Sequence, residues 1–139
     1  MSNGLVVNPD GTRRLIDFEL PNAREFIGGL LSAHVDVAFN EAGRDFTLIY
    51  NPDARDDGAT PSPVGSLARM HGETGNSAFF LDPVRAVFGP VIFVGADGGP
   101  IGEKDVAEID GALEAARNYS QDYPDEYRLW NAAARNMGN

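Results

Sequence analysis

Apolar and polar positions alternate with a period of two in several short segments, as is typical of half-buried β-strands. The alternation predicts a strand pair on either side of a turn at residues 8–11. It predicts a second pair over residues 35–39 and 46–50. Residues 91–94 are apolar at every position, which indicates a central strand covered on both faces of a sheet.

Other segments carry apolar residues at helical spacing. A first helix is predicted after Pro21, with an apolar face formed by Phe26, Ile27, Leu30 and Leu31. A second is predicted over residues 103–119. A third is predicted to begin at Pro124, because proline is favoured at the first helical position.

The order of these elements predicts an α+β fold with a mixed, mostly antiparallel sheet of about five strands and helices packed on one face. The 139 residues are expected to form a single domain, 1–139, in which 122–139 is a C-terminal helical extension. Tyr127, Trp130 and Met137 share one side of this extension. That side is predicted to contact either the body or a second copy of the chain, and we favour a homo-oligomer.

Composition and charge exclude several classes of partner. The net charge of −10 is spread along the chain, so we expect no direct binding to nucleic acid. No apolar run approaches the roughly 20 residues of a membrane helix, so no membrane association is expected. The chain lacks cysteine and opens without a secretion leader, which favours a cytoplasmic protein.

Motifs that would indicate an enzyme do not occur. The glycines at 95, 98, 99 and 102 fit neither a dinucleotide fingerprint nor a phosphate loop. The acidic segment from Asp53 lacks the spacing of a calcium loop, and there is no nucleophile elbow. We therefore expect no metal, no cofactor and no enzymatic activity. A small hydrolase using carboxylates stays open as an alternative, because acid pairs such as Asp56 and Asp57 are abundant.

The long connection over residues 51–77, predicted as loop except for one helical turn at 66–70, is the candidate binding segment. Loops longer than about 12–15 residues are usually functional or disordered. This one carries four side chains that could bind a ligand or a partner protein, namely Arg55, Arg69, His71 and Asn76. Arginine suits carboxylate and phosphate groups, so a small anionic ligand or a partner protein is expected to bind here. The alternative is a mobile insertion without a binding role.

Five motifs together resemble a known family. They are VVNPDG, FIGGLLSAHVDVAF, IYNPDA, PSPVGSLA and GPVIFVG, and they span about residues 4–113. In their order they resemble the domain-of-unknown-function family 3846. That family often has an asparagine three residues before the alanine of the fourth motif, where this chain has Gly65.

The family resemblance implies a setting rather than an activity. Its members occur in bacteria, plasmids and especially phages, so the resemblance implies a mobile-element protein in the host cytoplasm. We expect a non-catalytic binding protein that sequesters a small anionic ligand or blocks a host protein. A second hypothesis, based on the acidic composition, is a DNA mimic that inhibits a host DNA-binding or defence enzyme.

Overall fold

A computed structural model of the chain describes residues 2–28, 32–38, 45–54, 56, 58–74 and 86–136. Its strands are β1 (Ser2–Val7), β2 (Arg13–Phe18), β3 (Ala33–Val37), β4 (Phe46–Tyr50), β5 (Pro61–Ser62), β6 (Val87–Phe88) and β7 (Val91–Gly95). Its α-helices are α1 (Arg24–Ile27), α2 (Pro63–Thr74), α3 (Glu103–Asp122) and α4 (Pro124–Asn136).

The strands form one large sheet and one small ribbon. The large sheet has five strands in the order β2-β1-β7-β4-β3, and β5 pairs with β6 separately. Every neighbouring pair in the large sheet is antiparallel. The α+β class, the five strands and both predicted strand pairs are confirmed. The sheet is antiparallel throughout rather than mixed.

The central position of residues 91–94 is also confirmed. Strand β7 pairs with β1 on one side and with β4 on the other. Val91, Ile92, Phe93 and Val94 are all fully buried. Because successive side chains of a strand point to opposite faces, Val91 and Phe93 pack on one face of the sheet, and Ile92 and Val94 pack on the other.

The long helices cover one face of the sheet, which we call the helix-covered face. Leu5, Leu48 and Phe93 lie on this face and pack in one cluster with residues of α2 and α3. The helical members of the cluster are Val64, Ala68, Ile109, Ala112, Leu113 and Ala116. The spacing of the α3 residues is the one that the sequence pattern predicted for this helix.

The opposite face of the sheet is covered in part by a shorter helical segment. A 3-10 turn at Leu20–Asn22 leads into α1, and Ala23 and Ile27 pack against Ile92 and Val94. Helices therefore cover both faces, which refines the expectation that they pack on one. Helix α1 ends at Ile27 because Gly28 adopts a φ of 80°, a conformation open to glycine. Leu30 and Leu31, which were predicted to extend this helix, lie outside the described residues.

The prediction of one long loop over residues 51–77, interrupted only by a helical turn at 66–70, is wrong, because its middle forms β5 and the 12-residue helix α2. The side chain of Ser62 caps this helix by accepting a hydrogen bond of 3.2 Å from the backbone of Gly65. Pro63 occupies the first helical position. A Cβ at Gly65 would stand 3.1 Å from the hydroxyl oxygen of Ser62, so a larger residue would crowd the side chain that caps the helix.

Helix α4 packs on the body of the chain. Trp130 is only 4% exposed, and it clusters with Ala134 of its own helix and with Ala54, Ala86 and Phe88. Trp130 therefore belongs to the core of the protomer. Tyr127 is half-buried and packs its ring 6.1 Å from that of Trp130. Met137 lies outside the described residues.

Replacement of Ile92 by aspartate is expected to unfold the domain. The substitution would bury an unpaired charge in the centre of the sheet, at a cost that approaches the whole stability of a small domain, about 5–15 kcal/mol. Thermal unfolding followed by circular dichroism measures the effect. The control is Leu129→Asp, at a position that is 72% exposed. If both variants melt within a few degrees of the parent, β7 is not the centre of the core.

Replacement of Trp130 by alanine is expected to lower the free energy of unfolding by about 3–5 kcal/mol, as for other large aromatic residues in cores. The reason is that the indole fills the space between α4 and the β5–β6 ribbon. Urea denaturation measures the change. Leu129→Ala, on the exposed side of the same helix, should leave the stability nearly unchanged. Equal effects of the two substitutions would contradict the docking of α4.

Candidate functional site

The turn between β1 and β2 forms one wall of the candidate site. Its sequence is Asn8-Pro9-Asp10-Gly11, and Gly11 adopts a φ of 93°, which favours glycine. The backbone N–H of Gly11 donates to the carbonyl of Asn8 at 2.9 Å. The N–H of Asn8 donates to the carbonyl of Thr12 at 2.8 Å. The turn is therefore closed by its own backbone.

Asp10 is held as a carboxylate by the same turn. One of its oxygens accepts a hydrogen bond of 2.6 Å from the hydroxyl of Thr12 and another of 2.9 Å from the N–H of Thr12. These bonds lower the pKa of Asp10, the hydroxyl contributing most. Asn8 also donates to the Thr12 hydroxyl, at 3.0 Å. Asp10 consequently carries a full negative charge at neutral pH.

A cavity of about 210 Å³ lies between this turn and the helices, and we call it the turn cavity. Its lining residues are Asn8, Pro9, Asp10 and Gly11 of the turn, Pro63 and Val64 of α2, Leu113, Ala116, Arg117 and Ser120 of α3, and Tyr127 of α4. Val64, Leu113 and Ala116 are buried, whereas Asp10 and Arg117 are exposed. The cavity thus combines an apolar part with two charged side chains of opposite sign.

Arg117 is the cation of the turn cavity. Its side chain is exposed, and among the described residues its guanidinium makes no hydrogen bond or ion pair. One guanidinium nitrogen lies 3.7 Å from the point where a Cβ at Gly11 would stand, so the group lies beside the turn. The carbonyl of Arg117 accepts a hydrogen bond of 2.8 Å from Ser120. The backbone of Arg117 is therefore engaged in the helix, while its charge is available to a ligand.

Tyr127 brings α4 to the cavity. Burial raises the pKa of its phenol, an effect that a hydrogen bond with Asn131 and the charge of Arg135 partly offset. Tyr127 is therefore a neutral, partly buried ring at neutral pH. Its contact with the buried Trp130 fixes its position.

The amino terminus of α2 also faces the turn cavity, since Pro63 and Val64 line it. The dipole of a helix gives its amino end a partial positive charge. The partial positive charge at this end of α2 and the charge of Arg117 both favour an anionic group in the cavity. The carboxylate of Asp10 would repel an anion on the side of the cavity where the turn lies. The arrangement can bind a small charged molecule.

The side chains predicted from the sequence to bind a ligand do not line the turn cavity where the structure describes them. Arg69 lies in α2 with its guanidinium carbon 5.9 Å from the centre of the Tyr50 ring, beside β4. His71 is a residue of α2, but its side chain is not among the described parts of the structure. Arg55 and Asn76 lie outside the described residues. Binding through these four residues stays a prediction.

Three residues of the candidate site were not predicted from the sequence, namely Asn8, Asp10 and Arg117. Residues 8–11 are predicted from the sequence only as the turn of a strand pair, and Arg117 is not singled out. A usable signal existed, because Arg117 directly follows Ala116 on the apolar stripe of α3. A cation in that position lies at the margin of a buried helix face. The apolar pattern of α3 does not reveal that the turn at residues 8–11 packs beside Arg117.

Comparisons with known proteins identify no relative, since no family model, no curated protein and no solved structure matches the chain. The resemblance of the five motifs to family 3846 therefore stays a prediction. Within the described residues, no three histidine, aspartate or glutamate side chains come together as metal ligands. No described helix is long and apolar enough to cross a membrane.

The junction of α3 and α4, which carries Tyr127, should weaken at high pH. The hydroxyl of Tyr119 donates to the carboxylate of Glu126 at 2.6 Å, and this bond raises the pKa of Tyr119 to about 12. Because the folded pKa lies above the ordinary value of 10.0, the contribution to stability is complete below pH 10. It is lost as the pH rises through about 12.

Absorbance titration of the four tyrosines should show this late ionisation. Tyr119→Phe is expected to remove the component near pH 12. The control is Tyr123→Phe, because the Tyr123 ring packs 5.2 Å from that of Tyr119 but lacks its bond to Glu126. A titration in which Tyr119→Phe leaves the late component in place would contradict the helix junction described here.

Proposed function

We propose that this protein is a non-catalytic binding protein that takes up a small anionic ligand in the turn cavity. The observation that carries the proposal is the guanidinium of Arg117, exposed at the cavity and without a hydrogen bond or ion pair among the described residues. The planar fork of arginine matches carboxylate and phosphate groups. An anion could bind there without displacing a carboxylate of the described chain.

The dimensions of the turn cavity favour a small ligand. Its volume of about 210 Å³ is modest. Sites for drug-sized molecules enclose roughly 300–1,000 Å³. The net charge of −10 opposes polyanions such as nucleic acid. At physiological salt, charges more than about 8 Å away are largely screened, so a small ligand responds mainly to the local charge of Arg117.

Asp10 restricts the chemistry of the ligand further. Its carboxylate shares the turn cavity with Arg117 and stays ionised at neutral pH. A molecule that places its anionic group on Arg117 and a cationic or N–H group toward Asp10 would satisfy both side chains. Zwitterionic metabolites therefore fit the cavity better than simple phosphate.

A catalytic role for the carboxylate of the cavity draws less support. General acids and bases work best when their pKa lies near the working pH. The pKa of Asp10 is lowered by Thr12, so Asp10 is a weak base and is not protonated at neutral pH. These properties suit binding of a donor group better than proton transfer.

The DNA-mimic alternative also draws less support from the described helices. Helix α3 carries six acidic and two basic residues. However, Arg13 pairs with Asp110 in the middle of the helix, and Lys104 and Arg117 interrupt its negative surface. The resemblance to phage and plasmid proteins supports a role in the host cytoplasm. There we propose sequestration of a small metabolite, with a host protein as the alternative partner.

Calorimetric titration with phosphate, small dicarboxylates and zwitterionic amino acids tests the proposal. At least one of these probes should bind, and Arg117→Ala should weaken that binding by about tenfold or more, since a bond to a charged group contributes about 1.5–3 kcal/mol. Arg117 is exposed, so the variant should fold as the parent does.

Two matched variants locate the site. Arg128→Ala removes an exposed arginine of α4 that pairs with Asp125 away from the cavity, and it should leave binding unchanged. Arg69→Ala tests the site predicted from the sequence. Loss of binding in Arg69→Ala alone would move the site to the far part of α2. Recovery of a chemically altered ligand in many equivalents would make the protein an enzyme.

A further inference from the structure

Strand β2 is an edge strand of the large sheet, and we call its outer side the open border. Its inner side pairs with β1 along its whole length, from Ser2 opposite Phe18 to Val7 opposite Arg13. No strand among the described residues pairs with its outer side. An open strand border carries unpaired N–H and C=O groups and is a template for pairing with another chain.

An exposed leucine and an apolar groove lie at this border. Leu15, in the middle of β2, is 56% exposed. It lies opposite Leu5, so its side chain is on the helix-covered face. There it lines a mainly apolar groove of about 440 Å³ together with Ile101, Val106 and Ala107, and the lining also includes the acidic residues Glu103 and Asp110. The groove combines with the open border into one continuous surface.

The groove is held in place by a side-chain clamp. Asn3 of β1 accepts a hydrogen bond of 2.9 Å from the N–H of Ile101 and donates one of 2.9 Å to its carbonyl. The clamp fixes the segment that precedes α3 against the sheet. A partner that covers this groove would therefore meet a surface that is already formed.

The charges of β2 are complementary to those of the same strand in a second copy. If two β2 strands pair antiparallel with Leu15 opposite Leu15, then Arg13 of each copy lies opposite Asp17 of the other. Arg13 also pairs with Asp110 of its own chain, so in the dimer its guanidinium would lie between two carboxylates. Among the described residues, Asp17 makes no hydrogen bond or ion pair. Arg13, Leu15 and Asp17 all lie on the helix-covered face, so the two strands continue one sheet with consistent faces.

Neighbouring registers that keep the same faces together are less favourable. If the pairing of the two β2 strands is centred on residue 14 instead of 15, Arg14 lies opposite Arg14 of the second copy. If it is centred on residue 16, Leu15 lies opposite Asp17. Like charges directly opposite one another destabilise a sheet, and so does apolar surface against a charge. Only the Leu15-centred register gives two opposite-charge pairs and an apolar centre.

We propose that two copies of the chain associate through β2, antiparallel and centred on Leu15, to form one ten-strand sheet. The two-fold axis is perpendicular to the sheet and keeps both helix-covered faces on the same side. The two Leu15 side chains then meet between the two grooves and cover them. This closed, self-complementary contact is the commonest symmetry of homo-oligomers.

The net charge of the chain should make the stability of this dimer depend on the salt concentration. Each copy carries a net charge of −10, so the two copies repel one another at low salt. Screening of this repulsion should strengthen association as salt rises from low to physiological concentration. The interface is confined to one strand and one groove, so a reversible dimer in the micromolar to millimolar range is expected.

Sedimentation over that concentration range tests the dimer. The parent chain should convert from monomer to dimer, and Leu15→Lys should shift the dissociation constant upward by about tenfold or more. Leu129→Lys makes the same charge change at another exposed leucine, on α4, and should leave the dimer intact. Both substitutions change the net charge of the chain by the same amount, so a difference between them reports the position of the leucine and not the overall charge.

A charge exchange tests the register itself. Asp17→Arg places arginine opposite Arg13 in a dimer with itself, and Arg13→Glu places glutamate opposite Asp17. Each variant alone should stay monomeric, whereas an equal mixture should form a mixed dimer in which both pairs are attractive. Circular dichroism checks that each variant is folded. Failure of the folded mixture to associate would overturn the register.

Two further results would overturn the proposal as a whole. One is a parent chain that stays monomeric up to millimolar concentration at physiological salt. The other is a dimer lost in Leu129→Lys but retained in Leu15→Lys, which would place the contact on α4. Neither result depends on ligand binding in the turn cavity.

Discussion

The burial of β7 on both faces is the constraint on which the remaining structure depends. Four consecutive large apolar residues, 91–94, can avoid water only if helices or loops cover both sides of the sheet. On one side the requirement is met by α2 and α3, whose apolar residues share a cluster with Phe93. On the other side Ile27 and its neighbours cover Ile92 and Val94. The strand thereby determines where the helices lie.

The turn cavity is a consequence of that packing. Leu113 and Ala116 of α3 are buried against the sheet, so Arg117, the next residue, lies at the margin of the contact. The turn after β1 reaches the same margin because β1 is the neighbour of β7. Helix α4 then closes the third side with Tyr127, held by Trp130 in its own cluster.

Most of the fold could be predicted from the sequence, whereas the candidate site could not. The alternation around residues 8–11 and the apolar run at 91–94 are local signals, and each predicted its strand correctly. Helix α2 was predicted only as one turn at residues 66–70 because Gly65 and Gly72 weaken the helical pattern, although Ser62 and Pro63 form a proper helix start. Arg117 and Asp10 lie more than 100 positions apart, and only the packed structure brings them to one cavity.

The central claim is that the turn cavity binds a small anion through Arg117, and NMR titration tests it most directly. Backbone and arginine side-chain resonances would be followed while a small zwitterionic amino acid or dicarboxylate is added. The account predicts that the largest shifts fall on residues 8–11, on Val64 and on the guanidinium of Arg117. Shifts confined to Arg69 and the far part of α2, or none with any of these probes, would contradict it.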